Sequence, residues 1–139
     1  MSNNDVLTRL NGAWPPCVAL LGGHAVAFDL EACELVMTYQ PTPEFCHSGN
    51  IVQGGYITAM IDAVMAYAAI SIPDLCEGVA SLEIKVSFMA PGRPGPMEAR
   101  GRVVNAGRSI GHLDGELHQN GKLIATATST VKFLKAKGT

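Results

Sequence analysis

The stretch Gly54–Ser71, GGYITAMIDAVMAYAAIS, decides the fold. It is apolar nearly all round, a composition typical of a helix that is enclosed on most sides. Before Ser71, its only markedly polar side chains are those of Thr58 and Asp62, which are four residues apart and share one helix face. The run approaches the length of a membrane span, but an internal carboxylate and the lack of basic flanks favour a buried helix.

Segments of alternating apolar and polar side chains predict strands on both sides of this helix. The segment after it places Leu82, Ile84, Val86 and Phe88 on one face and Ser81, Glu83, Lys85 and Ser87 on the other. Asn120-Gly121 is a hairpin signal, and a short helix is predicted at 4–13, stopped by Pro15-Pro16. The predicted strands span residues 24–30, 33–39, 81–88, 97–104, 109–119 and 122–134.

These elements predict an α+β architecture in which an antiparallel sheet of five to six strands wraps around one long central helix. That arrangement is the hotdog fold. With 139 residues and no linker or internal repeat, the chain is expected to form a single domain over residues 1–139.

Composition limits the possible functions. A hydrophobic fraction of 47% with 16% charged residues leaves apolar surface for a second copy to bury. The net charge of −2 and the scattered Lys and Arg argue against nucleic-acid binding. The four cysteines form no CxxC pair and no secretory signal is evident, so we expect reduced thiols and a cytoplasmic location. The histidine spacing matches no metal motif, so we expect no metal site.

Asp62 is the most informative residue for function. A carboxylate within an apolar helix costs several kcal/mol unless it is paired or has a chemical role. One interpretation is structural: Asp62 accepts hydrogen bonds from the backbone or from Thr58 at a subunit contact. The other is a general base or nucleophile whose pKa is raised by its apolar surroundings.

The helix start is the second feature. Gly54 and Gly55 permit close approach of a ligand to the backbone, and free N–H groups there stabilise developing negative charge. Gly54 and Asp62 are eight residues apart, roughly 12 Å along a helix, so one carbonyl cannot touch both within a subunit. If both act on it, the site requires an antiparallel helix from a second chain.

At these residues the sequence resembles the phenylacetate-pathway, or PaaI-like, branch of the hotdog thioesterases. The family pattern is Asn or Gln, then six residues on His-Gly-Gly, then an acid nine residues beyond that His. Here the stretch runs from His47 through Gln53-Gly54-Gly55 to Asp62 with the same spacing. The resemblance covers roughly 43–134 and includes three later segments, at 81–91, 107–109 and 120–125.

The resemblance implies hydrolysis of acyl-CoA thioesters to free acid and CoA by a homodimer or a dimer of dimers. The Gly54 N–H would polarise the thioester carbonyl, and Asp62 of the opposing subunit would activate water or attack directly. Ser81 would supply a hydroxyl that orients the water or the carboxylate. CoA would be part of the substrate, so no cofactor is expected.

Two positions depart from the family pattern. Gln53 stands where His is usual and can still donate a hydrogen bond to a carbonyl, whereas His47 stands where Asn or Gln is usual. The polar contact would then come from His47 or from Asn50. For the CoA phosphates, the Arg108-Ser109 turn is the first candidate and Arg93 the second; Tyr56 is a candidate wall of the acyl pocket.

Two alternatives to a thioesterase are a hotdog hydratase or dehydratase and a non-catalytic acyl-CoA binder. The hydratases and dehydratases depend on a catalytic His in motifs such as His-Phe-Pro or Asp-x-Asn-Pro-x-His, and neither motif occurs here. A binder would lack turnover, which only an assay reveals.

Overall fold

The computed structural model describes residues 2–135. Its helices are α1 (Asn3–Asn11), α2 (Pro16–Leu20) and α3 (Gly54–Ser71). Its strands are β1 (His24–Asp29), β2 (Glu34–Tyr39), β3 (Cys46–His47), β4 (Ile51–Val52), β5 (Gly78–Phe88), β6 (Met97–Ala106), β7 (Ile110–Gln119) and β8 (Lys122–Leu134).

Six strands form one sheet in the order β1-β2-β6-β7-β8-β5, and every neighbouring pair is antiparallel. The sheet curves around α3, which confirms the predicted hotdog architecture. β3 and β4 form a separate two-stranded hairpin just before α3, in a segment that lies outside the predicted strands. Within the described part of the chain, β5 pairs with β8 alone, so its other edge is open.

Glycines let α3 lie directly on the sheet. A Cβ on Gly101 of β6 would come within 2.5 Å of the Val64 carbonyl oxygen, and one on Gly115 of β7 within 2.7 Å of the Ile61 side chain. The Tyr39 hydroxyl donates a 2.9 Å hydrogen bond to the Met60 carbonyl oxygen. The side chains on this side of α3 are fully buried, so the helix has one close-packed orientation on the sheet.

The outward side of α3 is partly exposed and carries small residues around Asp62, namely Ala59, Ala63 and Ala66. The helix has the length and mean hydropathy of a membrane span, 18 residues at 1.2. A core helix packed on a sheet meets the same criteria.

The N-terminal segment differs from the predicted helix at 4–13. α1 begins one residue earlier, because Ser2 and Asp5 form a reciprocal capping box. The proline pair was predicted to stop the helix, but a second helix begins at Pro16. Proline suits the first helical position because it needs no N–H donor there.

Candidate active site

Asp62 lies half-buried near the middle of α3 and has one hydrogen-bond donor among the described side chains. Ser81 Oγ of β5 donates to Asp62 Oδ1 at 3.3 Å. Burial raises the pKa of Asp62, and the Ser81 hydrogen bond opposes part of that rise. A carboxylate so placed is a better proton acceptor near neutral pH than an exposed one.

A β-bulge explains how Ser81 reaches this carboxylate. Ser81 pairs with Val131 and Glu83 with Thr130, so Leu82 is an extra residue in β5. The bulge reverses the alternation. On the N-terminal side of the bulge Ser81 faces α3, and on its C-terminal side Ile84 faces α3, opposite the buried Ser129. The predicted strict alternation was therefore wrong for Ser81 and Leu82, and Leu82 is 58% exposed.

Thr58 does not contact Asp62. Its hydroxyl donates to the Gly54 carbonyl oxygen at 2.9 Å, one turn back along α3. Within one subunit, Ser81 rather than Thr58 therefore supplies the hydrogen bond to Asp62.

The helix start has unused donors. Gln53 precedes α3 with extended backbone angles, and its side chain makes no capping hydrogen bond. Among residues 2–135, the N–H groups of Gly54 and Gly55 donate to no carbonyl. The Phe88 ring lies over Gly54, with atoms 3.1–3.7 Å from where a Cβ would be. Because Gly54 has no Cβ, this aromatic ring can lie close to it. The Gly54 N–H is free for a ligand because Gly54 is the first residue of α3.

His47 and Asn50 lie in the β3–β4 hairpin. Both are exposed, and Asn50 adopts a left-handed backbone conformation with φ of 58°. His47 lines a surface pocket of about 390 Å³ together with Gly54 and Phe88. The hairpin thus brings His47 to the helix start, while Asn50 stays at the hairpin tip.

The predicted substrate-contact residues lie in three places. Tyr56 is half-buried and packs edge-on against the Phe45 ring at 4.7 Å. Arg93 lies near the helix start and donates to the Gly49 carbonyl oxygen at 2.7 Å. Arg108 and Ser109 lie in the β6–β7 turn at the opposite end of the sheet, roughly 30 Å along β7 from Gln119. One CoA cannot place its phosphates on Arg93 and Arg108 of the same subunit.

Two groups of contacts went unnoticed in the sequence. The first is the Phe88 ring over Gly54. The sequence signal for it is an aromatic residue at the end of a predicted strand. The second is the Gln119 side chain, which makes three hydrogen bonds to the loop containing Arg93. No local pattern marks that contact, because the partners are 26 residues apart.

The thioesterase superfamily model matches residues 49–126, which include α3, Asp62 and most of the sheet. The chain belongs to the thioesterase superfamily. A solved structure from Ralstonia eutropha JMP134, described as a phenylacetic acid degradation-related protein, is 35% identical to this thioesterase chain. It covers 91% of this chain and 98% of its own, with a TM-score of 0.83.

Two more distant structures share the fold of this thioesterase. The PaaI protein of the E. coli phenylacetic acid degradation operon is 21% identical over 97% of this chain and 98% of its own, with a TM-score of 0.83. A Streptococcus mutans protein bound to acetyl CoA is 21% identical over 81% of this chain and 89% of its own, with a TM-score of 0.72. The chain is thus a PaaI-like, hotdog-fold thioesterase in its sequence family and fold.

Proposed function

We propose that this thioesterase hydrolyses acyl-CoA to the free acid and CoA at a site completed by a second copy of the chain. The observation that carries the proposal is the arrangement of α3. Asp62 is a half-buried carboxylate with a raised pKa, and the free N–H groups of Gly54 and Gly55 lie two turns away on the same helix.

The chemistry follows from these two groups. The Gly54 N–H donates to the thioester carbonyl oxygen and stabilises the negative charge that develops there. Asp62 acts as general base or nucleophile. As a base it takes a proton from water, the resulting hydroxide attacks the carbonyl carbon, and the C–S bond breaks while the proton held by Asp62 passes to the departing sulfur of CoA. Ser81 keeps the carboxylate oriented through its 3.3 Å hydrogen bond.

The open edge of β5 is the surface on which the second copy binds. It exposes unpaired backbone groups beside the apolar side chains of Leu82, Phe88 and Met89, which are 55–58% exposed. Such an edge is a template for another strand. The small residues around Asp62, namely Ala59, Ala63 and Ala66, would also let a second α3 approach closely.

The contacts within one subunit support one register for this proposed pairing. Asp62 contacts Ser81 near one end of β5, and Gly54 contacts Phe88 at the other. An antiparallel β5 pair with Ser81 opposite the partner's Phe88 has its twofold axis at residue 85, because Leu82 is an extra residue in the strand. It brings Asp62 next to the partner's Gly54, so that two equivalent sites form.

Coenzyme A is the proposed carrier of the acyl group, which acetyl CoA in the Streptococcus mutans relative supports. In the antiparallel dimer the exposed Arg108-Ser109 turn lies toward the end of the sheet where the partner's helix begins. Its guanidinium and hydroxyl are proposed to bind the CoA phosphates of that site.

Thiol release tests the activity. Wild type and Asp62→Asn are assayed on aromatic, short-chain and medium-chain acyl-CoAs, with Asp114→Asn on the outer sheet face as the matched control. We expect Asp62→Asn to lower kcat by about a hundredfold or more and the control to leave it unchanged. Equal turnover by Asp62→Asn would remove Asp62 from the mechanism. No release from any substrate, with binding retained, would make the protein an acyl-CoA binder.

Complementation tests the shared site. Gly54→Pro removes the N–H donor while keeping a residue that the first helical position tolerates. If Gly54 and Asp62 act across the interface, refolding an equal mixture of Gly54→Pro and Asp62→Asn restores about a quarter of wild-type activity. This is because half of the dimers then contain one intact site of two. Failure to restore activity, with mixed dimers shown by mass spectrometry, would place both groups in one subunit.

A further inference from the structure

We propose that Arg93 and Gln119 are positioning residues that hold the β3–β4 hairpin and thereby fix the Gly54 N–H donor. The inference rests on the function proposed above and assigns Arg93 a role other than phosphate binding. It is carried by a continuous set of hydrogen bonds that connects β7 to the start of α3.

Gln119, the last residue of β7, holds the loop before β6. Its side-chain oxygen accepts from the Arg93 backbone N–H at 2.9 Å, and its Nε2 donates to the Arg93 carbonyl oxygen at 2.7 Å. The same Nε2 lies 3.4 Å from the Pro96 carbonyl oxygen. Contacts to both backbone groups of Arg93 fix this residue relative to the sheet.

The loop in turn holds the hairpin. Arg93 Nη1 donates to the Gly49 carbonyl oxygen at 2.7 Å, and the Val52 N–H donates to the Gly92 carbonyl oxygen at 2.8 Å. Gly49 and Asn50 both have left-handed backbone angles, with φ of 70° and 58°. A non-glycine residue in that conformation is held there at a cost by surrounding contacts, and the Arg93 bond lies directly beside it.

The hairpin leads straight into the donor. The Gln53 N–H donates to the Phe45 carbonyl oxygen at 2.9 Å, and Gly54 follows as the first residue of α3. A shift of the hairpin therefore changes the direction from which the Gly54 N–H meets a carbonyl. Misplacement of a catalytic donor by about 1 Å lowers rates by up to a hundredfold.

The experiment separates positioning from phosphate binding by using two thioesters of the same acyl group. One is the acyl-CoA, and the other is the N-acetylcysteamine thioester, which has no phosphate. Arg93→Met and Gln119→Met should each lower kcat by about tenfold or more on both substrates, with KM little changed. Arg93→Lys should recover part of the loss, because lysine can still donate to Gly49. Arg102→Met, which removes an exposed arginine paired with Asp114 on the outer sheet face, is the control and should leave kcat unchanged.

Hydrogen exchange provides a readout that does not depend on turnover. Peptides covering residues 46–57 should exchange faster in Arg93→Met and Gln119→Met than in wild type or Arg102→Met, while peptides from β8 do not change.

Three results would overturn the inference. A loss confined to the acyl-CoA and expressed in KM would make Arg93 a phosphate ligand. Unchanged kcat in both variants would show that the hydrogen bonds do not position the donor. An equal rise in hydrogen exchange throughout the chain would show that these contacts contribute only to the overall stability of the fold. If wild type hydrolyses neither thioester, the proposed function fails, and unchanged exchange at residues 46–57 would then also disprove the link between β7 and the hairpin.

Discussion

Gly101→Ala tests whether the packing of α3 on the sheet sets the position of Asp62. A Cβ at Gly101 would lie 2.5 Å from the Val64 carbonyl oxygen and 2.7 Å from the Met65 nitrogen. Restoring a tolerable contact of 3.0–3.4 Å requires α3 to retreat by about 0.5–0.9 Å. Both clashing atoms belong to the helix backbone and cannot rotate away, so we expect a loss of about 1–3 kcal/mol in the free energy of unfolding.

The same displacement reaches the carboxylate. Asp62 precedes Val64 by two residues, and its hydrogen bond to Ser81 is already 3.3 Å long. A retreat of the helix by the amount above would break that bond and move Asp62 away from the proposed position of the thioester. We therefore expect kcat to fall by about ten- to a hundredfold as well.

Two assays check this pair of effects. Urea unfolding can be followed by the fluorescence of Trp14, the single tryptophan, whose ring packs edge-on against Tyr67 of α3 at 4.9 Å. Thiol release gives kcat per folded molecule. The control is Gly78→Ala, where a Cβ would lie 3.7 Å from Leu134 in ordinary contact. Wild-type stability in Gly101→Ala, or reduced stability with full kcat, would refute the reasoning.

Three further substitutions test the electrostatics and packing around the helix. Asp62→Asn should unfold less readily than wild type at pH 7 but similarly at pH 4. Burial raises the pKa of Asp62, so wild type loses stability as the pH rises above the ordinary value of 3.8; a gap in urea-unfolding free energy that does not widen with pH would contradict this. Ser81→Ala removes a hydrogen bond that lowers the pKa of Asp62, so the acid limb of the kcat/KM profile should move to higher pH; an unmoved limb would uncouple the two groups. Tyr39→Phe removes the hydrogen bond to the Met60 carbonyl and should cost about 1 kcal/mol in urea unfolding, whereas no loss would show that the bond adds nothing to stability.

The elements with strong local signals were predictable from the sequence. The bounds of α3 and β8 agree with the prediction, because α3 is a long apolar run with glycines at its start and Pro73 after it, and β8 follows a hairpin turn at Asn120-Gly121. Asp62 also stood out, since a charge within such a helix is costly. These signals lie within a few neighbouring residues.

Features that depend on distant partners could not be read from the sequence. The bulge at Leu82 is defined by the pairing of β5 with β8, and alternation alone gives no register. The role of Gln119 depends on a loop 26 residues away. The helix at Pro16 was missed for a different reason: a proline pair serves equally as a stop and as a start.

The single extra residue in β5 also limits how this site can be transferred to another scaffold. Up to Ser81 the odd-numbered residues of β5 face the helix, whereas from Ile84 onward the even-numbered residues face it. A regular strand carrying the same serine, without the insertion, would turn its remaining apolar residues toward water. A designer who copies the aspartate and the serine must therefore copy Leu82 as well, although its own side chain is largely exposed.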